Sequence, residues 1–439
     1  METERKTLTQ LSVPICLETL FYMLSGMVDT LMLSSVSDQA VGAVGTANTY
    51  IGVFIIMFGV ISSGMVAVMS QNIGAGRPGI AYQARQLGLV FNALTGILMS
   101  VVLAVFSGGI LRAVSIAPAL LESAETYLKI VGGASFLNAL IPIFSSYLRV
   151  FGYTKHSLIG TVVGNVINII LNSVFLFVFN WGVMGVAAAT VFSKVVNLII
   201  VAAMGAVLIK AKQSPERAQP RKILAQIVKI GFPSAFETAL YNVAMTFIVC
   251  FMNHMDTDGM NVTARSYAMQ IANFSYCVGA ALAQANAIMT GWRIGAKKYE
   301  ECDRGTRKAV IYGLVTATCF SVTFAITGRF IVHIFTNDIQ MIELVVKLLV
   351  VDIFLEFGRV TNLVYGQALK TSGDAIFPVI MGAIFMYLFA VGGTYFLGIH
   401  MGLLAVGAYI AMAGDECARA VGMVLRWKSG KWKSKSLVE

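Results

Sequence analysis

Long apolar stretches, broken by short polar turns, set the organisation of this chain. A helix needs about twenty predominantly apolar residues to cross the hydrocarbon core of a bilayer. On that length the pattern predicts twelve membrane-spanning helices, at residues 8–34, 41–73, 82–108, 118–148, 157–179, 183–209, 223–252, 261–292, 304–328, 340–369, 375–397 and 402–427. The runs are continuous rather than alternating, which excludes a β-barrel. Several are longer than about 25 residues, so tilt or projection beyond the bilayer is expected. The longest polar gap, 210–222, contains Ser214, Pro215 and Pro220 and falls near mid-chain, as a linker would. The fold class expected is an all-α polytopic membrane protein. It divides into an N-terminal six-helix lobe (1–209), a cytoplasmic linker (210–222), a C-terminal six-helix lobe (223–427) and a basic cytoplasmic tail (428–439).

The two halves repeat each other. Pro14, Glu18, Thr19 and Tyr22 of the first span recur 219 positions on as Pro233, Glu237, Thr238 and Tyr241. Ile73-Gly74-Ala75-Gly76 recurs as Ile294-Gly295-Ala296-Lys297, at an offset of 221. Leu148-Arg149 with Gly152 recurs as Leu369-Lys370 with Gly373, again at 221, and Gly182 with Val186 recurs as Gly402 with Val406 at 220. Six spans per half is an even number, so both halves enter the membrane in the same sense. The expectation is a parallel repeat about an axis along the membrane normal, with a cavity between the lobes.

Composition supports a membrane protein. The chain is 57% hydrophobic and only 12% charged, with mean hydropathy +0.77, where soluble proteins carry about 25% charged residues. The net charge of +10 does not signal nucleic acid, because the basic residues sit between apolar runs. Of the 32 Lys and Arg residues, 24 lie at the termini and after even-numbered spans, and 5 after odd-numbered ones. That bias places both termini in the cytoplasm of a multi-pass plasma (inner) membrane protein. The tail residues Arg426, Lys428, Lys431, Lys433 and Lys435 extend it and suit anionic lipid. The first run is too long for a signal-peptide core and is read as a retained helix. Six cysteines and four histidines are scattered without paired spacing, so neither a disulfide framework nor a metal site is expected. The turn Gly74-Ala75-Gly76-Arg77-Pro78 lacks the Gly-Lys-Ser/Thr ending of a phosphate loop. No nucleotide-binding cassette, nucleophile elbow or HExxH occurs, so the motifs exclude ATP-driven transport and point away from an enzyme.

The chemistry-bearing residues are the polar ones inside spans. A carboxylate at the centre of a membrane helix costs about 2.5–3.5 kcal/mol on insertion scales, so Glu18 and Asp29 in one span imply that at least one of them is used. They stand eleven residues apart, close to three turns, with Tyr22 on the same face. A carboxyl withdrawn from water loses the solvation of its charged form. It can then carry a proton, as a coupled transporter requires, or stay ionised and hold Na+. Asn165, Asn168 and Asn172 in the fifth span and Thr190 in the sixth offer amide and hydroxyl groups. These are equally suited to ligating a cation, to bonding a carboxyl, or to holding helices together. In the second half Glu237 mirrors Glu18, whereas Ile248 stands where Asp29 would recur. The tenth span carries Asp352, Glu356 and Arg359, the last two at the i, i+3 spacing of an ion pair that is either structural or a gate. Arg359 and Lys194 are the cations expected near a central cavity.

With the repeat in view, the chain resembles the multidrug and toxic compound extrusion family. The resemblance spans all twelve predicted helices. It rests on the span from Pro14 to Asp29, the turn from Gln71 to Gly76, Asn165 to Asn172, Gly182 and Gly185 running into Ala187 to Thr190, and Gly366 to Asp374. It implies a monomeric secondary-active efflux antiporter that exports cationic or amphipathic drugs or toxins by alternating access. H+ or Na+ would be the coupling ion, with no other cofactor and no nucleotide or nucleic-acid partner. Asp29 would be the coupling acid with Asn168, Asn172 and Thr190 around it, and Glu18 and Glu237 the second acids. Two departures lean towards H+, or towards coupling confined to the first lobe. Asn172 stands where some members carry an acid, and Arg359 falls near the tenth-span acid of some Na+-linked members. A lipid-linked precursor flippase of the same superfamily is the alternative; it usually carries more cations in its cavity.

Overall fold

The computed structural model describes residues 6–438 apart from 36, 114–115 and 256–257, so the ends of the predicted first lobe (1–5) and tail (439) lie outside the described residues. The helices are α1 (Leu8–Ser34), α2 (Asp38–Gly74), α3 (Pro78–Ala113), α4 (Pro118–Tyr127), α5 (Phe136–Val150), α6 (Thr154–Ser173), α7 (Gly182–Leu208), α8 (Pro220–Asn253), α9 (Met260–Gly295), α10 (Tyr299–Val332), α11 (Ile339–Ser372), α12 (Ile376–Phe385) and α13 (Leu404–Lys428). No strand occurs among the described residues. The chain forms two compact units, Met1–Gly231 and Phe232–Glu439. With α4 and α5 taken as one span, each unit carries six spans.

Among the described residues, eight helices are apolar and long enough to cross a bilayer, and the α4–α5 pair makes a ninth. The other three, α9, α11 and α13, are longer than a span requires but carry Arg265, Asp352, Glu356, Arg359, Asp415, Glu416 and Arg419. All seven side chains except Arg359 are counted as buried, so these helices hide their polar groups inside the second unit.

The predicted span 118–148 is not one helix. It bends by 42° between its two parts, at Gly133, Ala134 and Ser135. A break inside the membrane must have its backbone groups satisfied locally. The Phe136 N–H, freed at the new helix start, donates to Ser100 Oγ of α3 at 2.9 Å. Asn92 of α3 completes the join, donating to the Phe58 carbonyl of α2 (3.4 Å) and the Ala139 carbonyl of α5 (3.0 Å). A second gap is filled in α1. Pro14 has no N–H to offer the Gln10 carbonyl one turn back, and Thr154 Oγ1 of α6 donates to that oxygen at 3.3 Å.

Two of the four repeated motifs prove to be helix caps. After α5, Gly152 N–H donates to the Arg149 carbonyl and Tyr153 N–H to that of Leu148. After α11, Gly373 and Asp374 make the same pair of bonds to Lys370 and Leu369. Gly76 and Arg77 cap α2, and Lys297 and Lys298 cap α9, in the same way. This cap needs a left-handed residue. Gly76, Gly152 and Gly373 supply it at φ of 74°, 84° and 104°, but at the fourth place Lys297 holds φ 59°. A non-glycine residue there costs about 1 kcal/mol or slightly more. Lys297→Gly should therefore raise the melting temperature in detergent and Gly76→Ala should lower it, each by the equivalent of about 1 kcal/mol. Shifts of the same sign would show that the cap does not control local stability.

Candidate functional site

Each unit contains a cavity within its own helices, lined by charged, polar and apolar side chains. In the first unit the cavity measures about 630 Å³ and is lined from α1, α2, α5, α6, α7 and the residues before the bend. α1 contributes Glu18, Tyr22 and Asp29, which share its walls as their spacing predicts. Asp29 Oδ1 accepts a hydrogen bond of 2.6 Å from Asn172 Nδ2 of α6. The same Nδ2 lies 3.4 Å from Asn168 Oδ1, while Asn172 Oδ1 is buried with no hydrogen-bond partner. Thr190 lines the cavity too, but its hydroxyl donates to the Val186 carbonyl of its own helix at 2.8 Å, not to Asp29. Asn165 Nδ2 donates to the Phe21 carbonyl at 2.8 Å and ties α6 to α1. The four residues assigned to the coupling site are thus brought to one place, with Asn172 the direct contact.

Two further participants, Tyr127 and Asn138, escaped the sequence, and Lys194 stands at the cavity where it was expected. Tyr127, buried at the end of α4, reaches Asn48 and Thr190. Lys194 of α7 donates from Nζ to Asn138 Oδ1 at 2.9 Å. Asn138 lies in the first turn of α5, so the bend is what aims it at the lysine. Lys194 and Asp29 attract one another across the cavity but form no ion pair within 4 Å. Nothing local in the sequence marks Tyr127 or Asn138 as polar-site residues, because the bend that positions them is capped from α3.

Glu18 and Glu237 are not free acids. Glu18 Oε1 lies 2.8 Å from Arg149 Nη2 and accepts from Ser157 (3.0 Å) and Thr161 (3.3 Å). Glu237 Oε2 lies 2.5 Å from Lys370 Nζ. The two pairs are equivalent under the repeat: each joins the Pro-x-x-x-Glu motif to the basic residue of the Leu-Arg or Leu-Lys motif. In place of Asp29, the second unit has Ile248, fully buried among Ala244, Met252 and Ala268.

The second unit's cavity, about 420 Å³, is lined by Met245, Met269, Met386 and Met412, by Tyr241, Tyr276 and Tyr409, and by a charged wall. Glu356 pairs with Arg359 as the i, i+3 spacing predicts. The pair belongs to a longer network. Arg359 also approaches Glu416 (3.8 Å), Glu416 meets Arg419 (2.9 Å) and Asn362 (2.9 Å), and Arg419 grips Asp415 with two bonds of 3.0 and 2.7 Å. Asp352 lines the same cavity with no ion pair within 4 Å among the described residues. Arg149, Arg265, Lys370 and Arg419 join Lys194 and Arg359 as cavity-lining cations, four more than the sequence reading placed there.

Two six-span membrane units, each holding acids and cations around a cavity, define a transporter, not an enzyme. The MatE family model matches residues 14–174 and 233–396, and the chain belongs to this multidrug and toxic compound extrusion family. It is 32% identical to the uncharacterized transporter YisQ of Bacillus subtilis, over 98% of this chain and 96% of that protein. It is 26% identical to the probable multidrug resistance protein NorM of Thermotoga maritima, over 99% and 94%. A solved outward-facing multidrug resistance transporter of the same family superposes with a TM-score of 0.88 at 18% identity, covering 97% of this chain and 96% of that one.

The paired acids lead to a stability prediction. Removing one partner of a buried ion pair leaves an uncompensated charge. Lys370→Met should lower the melting temperature more than the double change Lys370→Met with Glu237→Met, with a coupling energy of about 1–3 kcal/mol in a double-mutant cycle. Additive effects would show that the pair contributes nothing.

Proposed function

We propose that this transporter exports small molecules across the plasma membrane by antiport, with H+ as the coupling ion and Asp29 as its carrier. The observation that carries the reading is the surroundings of Asp29. It faces the first unit's cavity and its hydrogen-bond partner among the described residues is a neutral amide, whereas Glu18, Glu237, Glu356, Asp415 and Glu416 are all held in ion pairs. An acid that must change its charge during each cycle cannot be locked to a permanent cation.

Asn172 suits both states of that acid. Its N–H2 donates to ionised Asp29, and its own carbonyl oxygen is without a partner. Rotation of the amide would present that oxygen to the O–H of the protonated acid, since an amide carries both donors and an acceptor. Na+ is served less well. It needs several oxygens at once, whereas Asn172 turns its N–H2 towards the carboxylate and the Lys194 ammonium shares the cavity.

Cargo with a cationic group would take the place of the proton at Asp29. Protonation from the outside would release it, and deprotonation towards the cytoplasm would restore the site. Both ends of the chain then lie in the cytoplasm, as the Lys and Arg bias supports, and the names of multidrug-resistance relatives support drugs or toxins as cargo. A flippase for lipid-linked precursors would need free cations to meet a pyrophosphate. Arg149, Arg359, Lys370 and Arg419 each meet an acid, so Lys194 in one cavity and Arg265 in the other are the lining cations without a described ion pair; one cation per cavity is few for a pyrophosphate and favours small-molecule export.

Everted vesicles loaded with acid should take up a fluorescent dye under an imposed H+ gradient and not under an imposed Na+ gradient. Asp29→Asn should abolish the gradient-driven part. Full gradient-driven uptake by that variant would contradict the assignment.

A further inference from the structure

We propose that Lys194 makes the first unit's cavity a site for zwitterionic cargo, a small molecule whose carboxylate binds the lysine while its ammonium binds Asp29. This rests on the antiport reading of Asp29 and names the chemical class of what the site carries.

Three observations point this way. First, the ammonium of Lys194 has three protons to donate, and its described partner is Asn138 Oδ1. It reaches no carboxylate within ion-pair distance, although Asp29 lies in the same cavity. A half-buried ammonium that is only partly satisfied can take an anionic group directly. Second, amides and hydroxyls accompany the two charges on a wall that also carries Ile51, Ile55, Ile141 and Pro142. Asn48, Asn138, Asn165 and Asn168 stand beside hydroxyls from Thr161 and Thr190, and no Phe, Trp or Met contributes. The second unit's cavity, by contrast, has four methionines among its lining residues. A cargo with an apolar body and polar groups near each charge is matched there, its body by the isoleucines and its polar groups by the asparagines. Third, the other charges of this cavity, Glu18 and Arg149, neutralise each other. Asp29 and Lys194 are left as one negative and one positive point at separate places on the wall.

The energetics favour such a cargo. A monovalent cation exchanged for one H+ moves no net charge, so the membrane potential does no work and a pH difference of one unit sustains about tenfold accumulation. A zwitterion is neutral overall. One H+ exchanged for it draws on the potential as well, and together the two support several hundredfold export at about 100 mV. A single coupling acid then suffices for strong export, in keeping with the absence of a counterpart to Asp29 in the second unit.

The test uses the purified full-length transporter and a matched pair of xanthene dyes, one with a free carboxylate and an amine, the other its methyl ester. Wild type should bind the carboxylate dye more tightly than the ester. In Lys194→Met that preference ratio should fall by about tenfold or more, and Lys194→Arg should retain it. No preference in wild type, or equal weakening of both dyes by Lys194→Met, would overturn the proposal. Gradient-driven uptake of the carboxylate dye into everted vesicles reads the antiport separately. Lysine-dependent binding without such uptake would reject antiport and leave the zwitterion site standing.

Discussion

The price of charge in hydrocarbon governs this molecule. Every ionisable side chain within a span must find an opposite charge, a polar partner or a wet cavity. Both units meet this demand with the same device, a glutamate four residues after the motif proline joined to a basic residue at the end of a distant span: Glu18 with Arg149, Glu237 with Lys370. The second unit adds a separate network of three acids and two arginines. The exceptions are therefore informative. Asp29 and Lys194 share a cavity without closing on each other, and a membrane protein that keeps two such groups apart must gain from their remaining available.

The asymmetry between the units follows. Where the first unit has Asp29, the second has Ile248 in a closed apolar core, and its cavity is lined by methionine and tyrosine. The repeat supplies the scaffold, caps and ion pairs twice, whereas Asp29, the proposed coupling acid, occurs in the first copy. Among the acids lining the second unit's cavity, Asp352 is the one without an ion pair among the described residues. It is buried against Tyr409 and the Arg359 field, with no amide comparable to Asn172 at hydrogen-bond distance.

How much of this was legible in the sequence depended on the range of the interaction. Span positions were readable because bilayer thickness acts on each segment separately. The Glu356–Arg359 pair was readable because it lies within one helix turn. The repeat was visible, but its meaning was not: the Pro-x-x-x-Glu and Leu-Arg motifs are ion-pair partners separated by more than a hundred residues, and only folding brings them together. The bend at residues 133–135 escaped for the same reason, since Ser100 and Asn92 of another helix make it tolerable. With the bend went Asn138 and the anchoring of Lys194. Asp29 was identifiable from its cost alone, and Asn172 from its helical register with Asn168.

The claim at the centre is that proton and cargo exclude one another at Asp29. Proton release on binding measures this directly. Cargo dye added to the purified transporter in weakly buffered, mildly acidic detergent solution should acidify the medium beyond the dye alone, and Asp29→Asn should bind dye without releasing protons. Dye binding by wild type with no proton release, or equal release from the variant, would contradict the account.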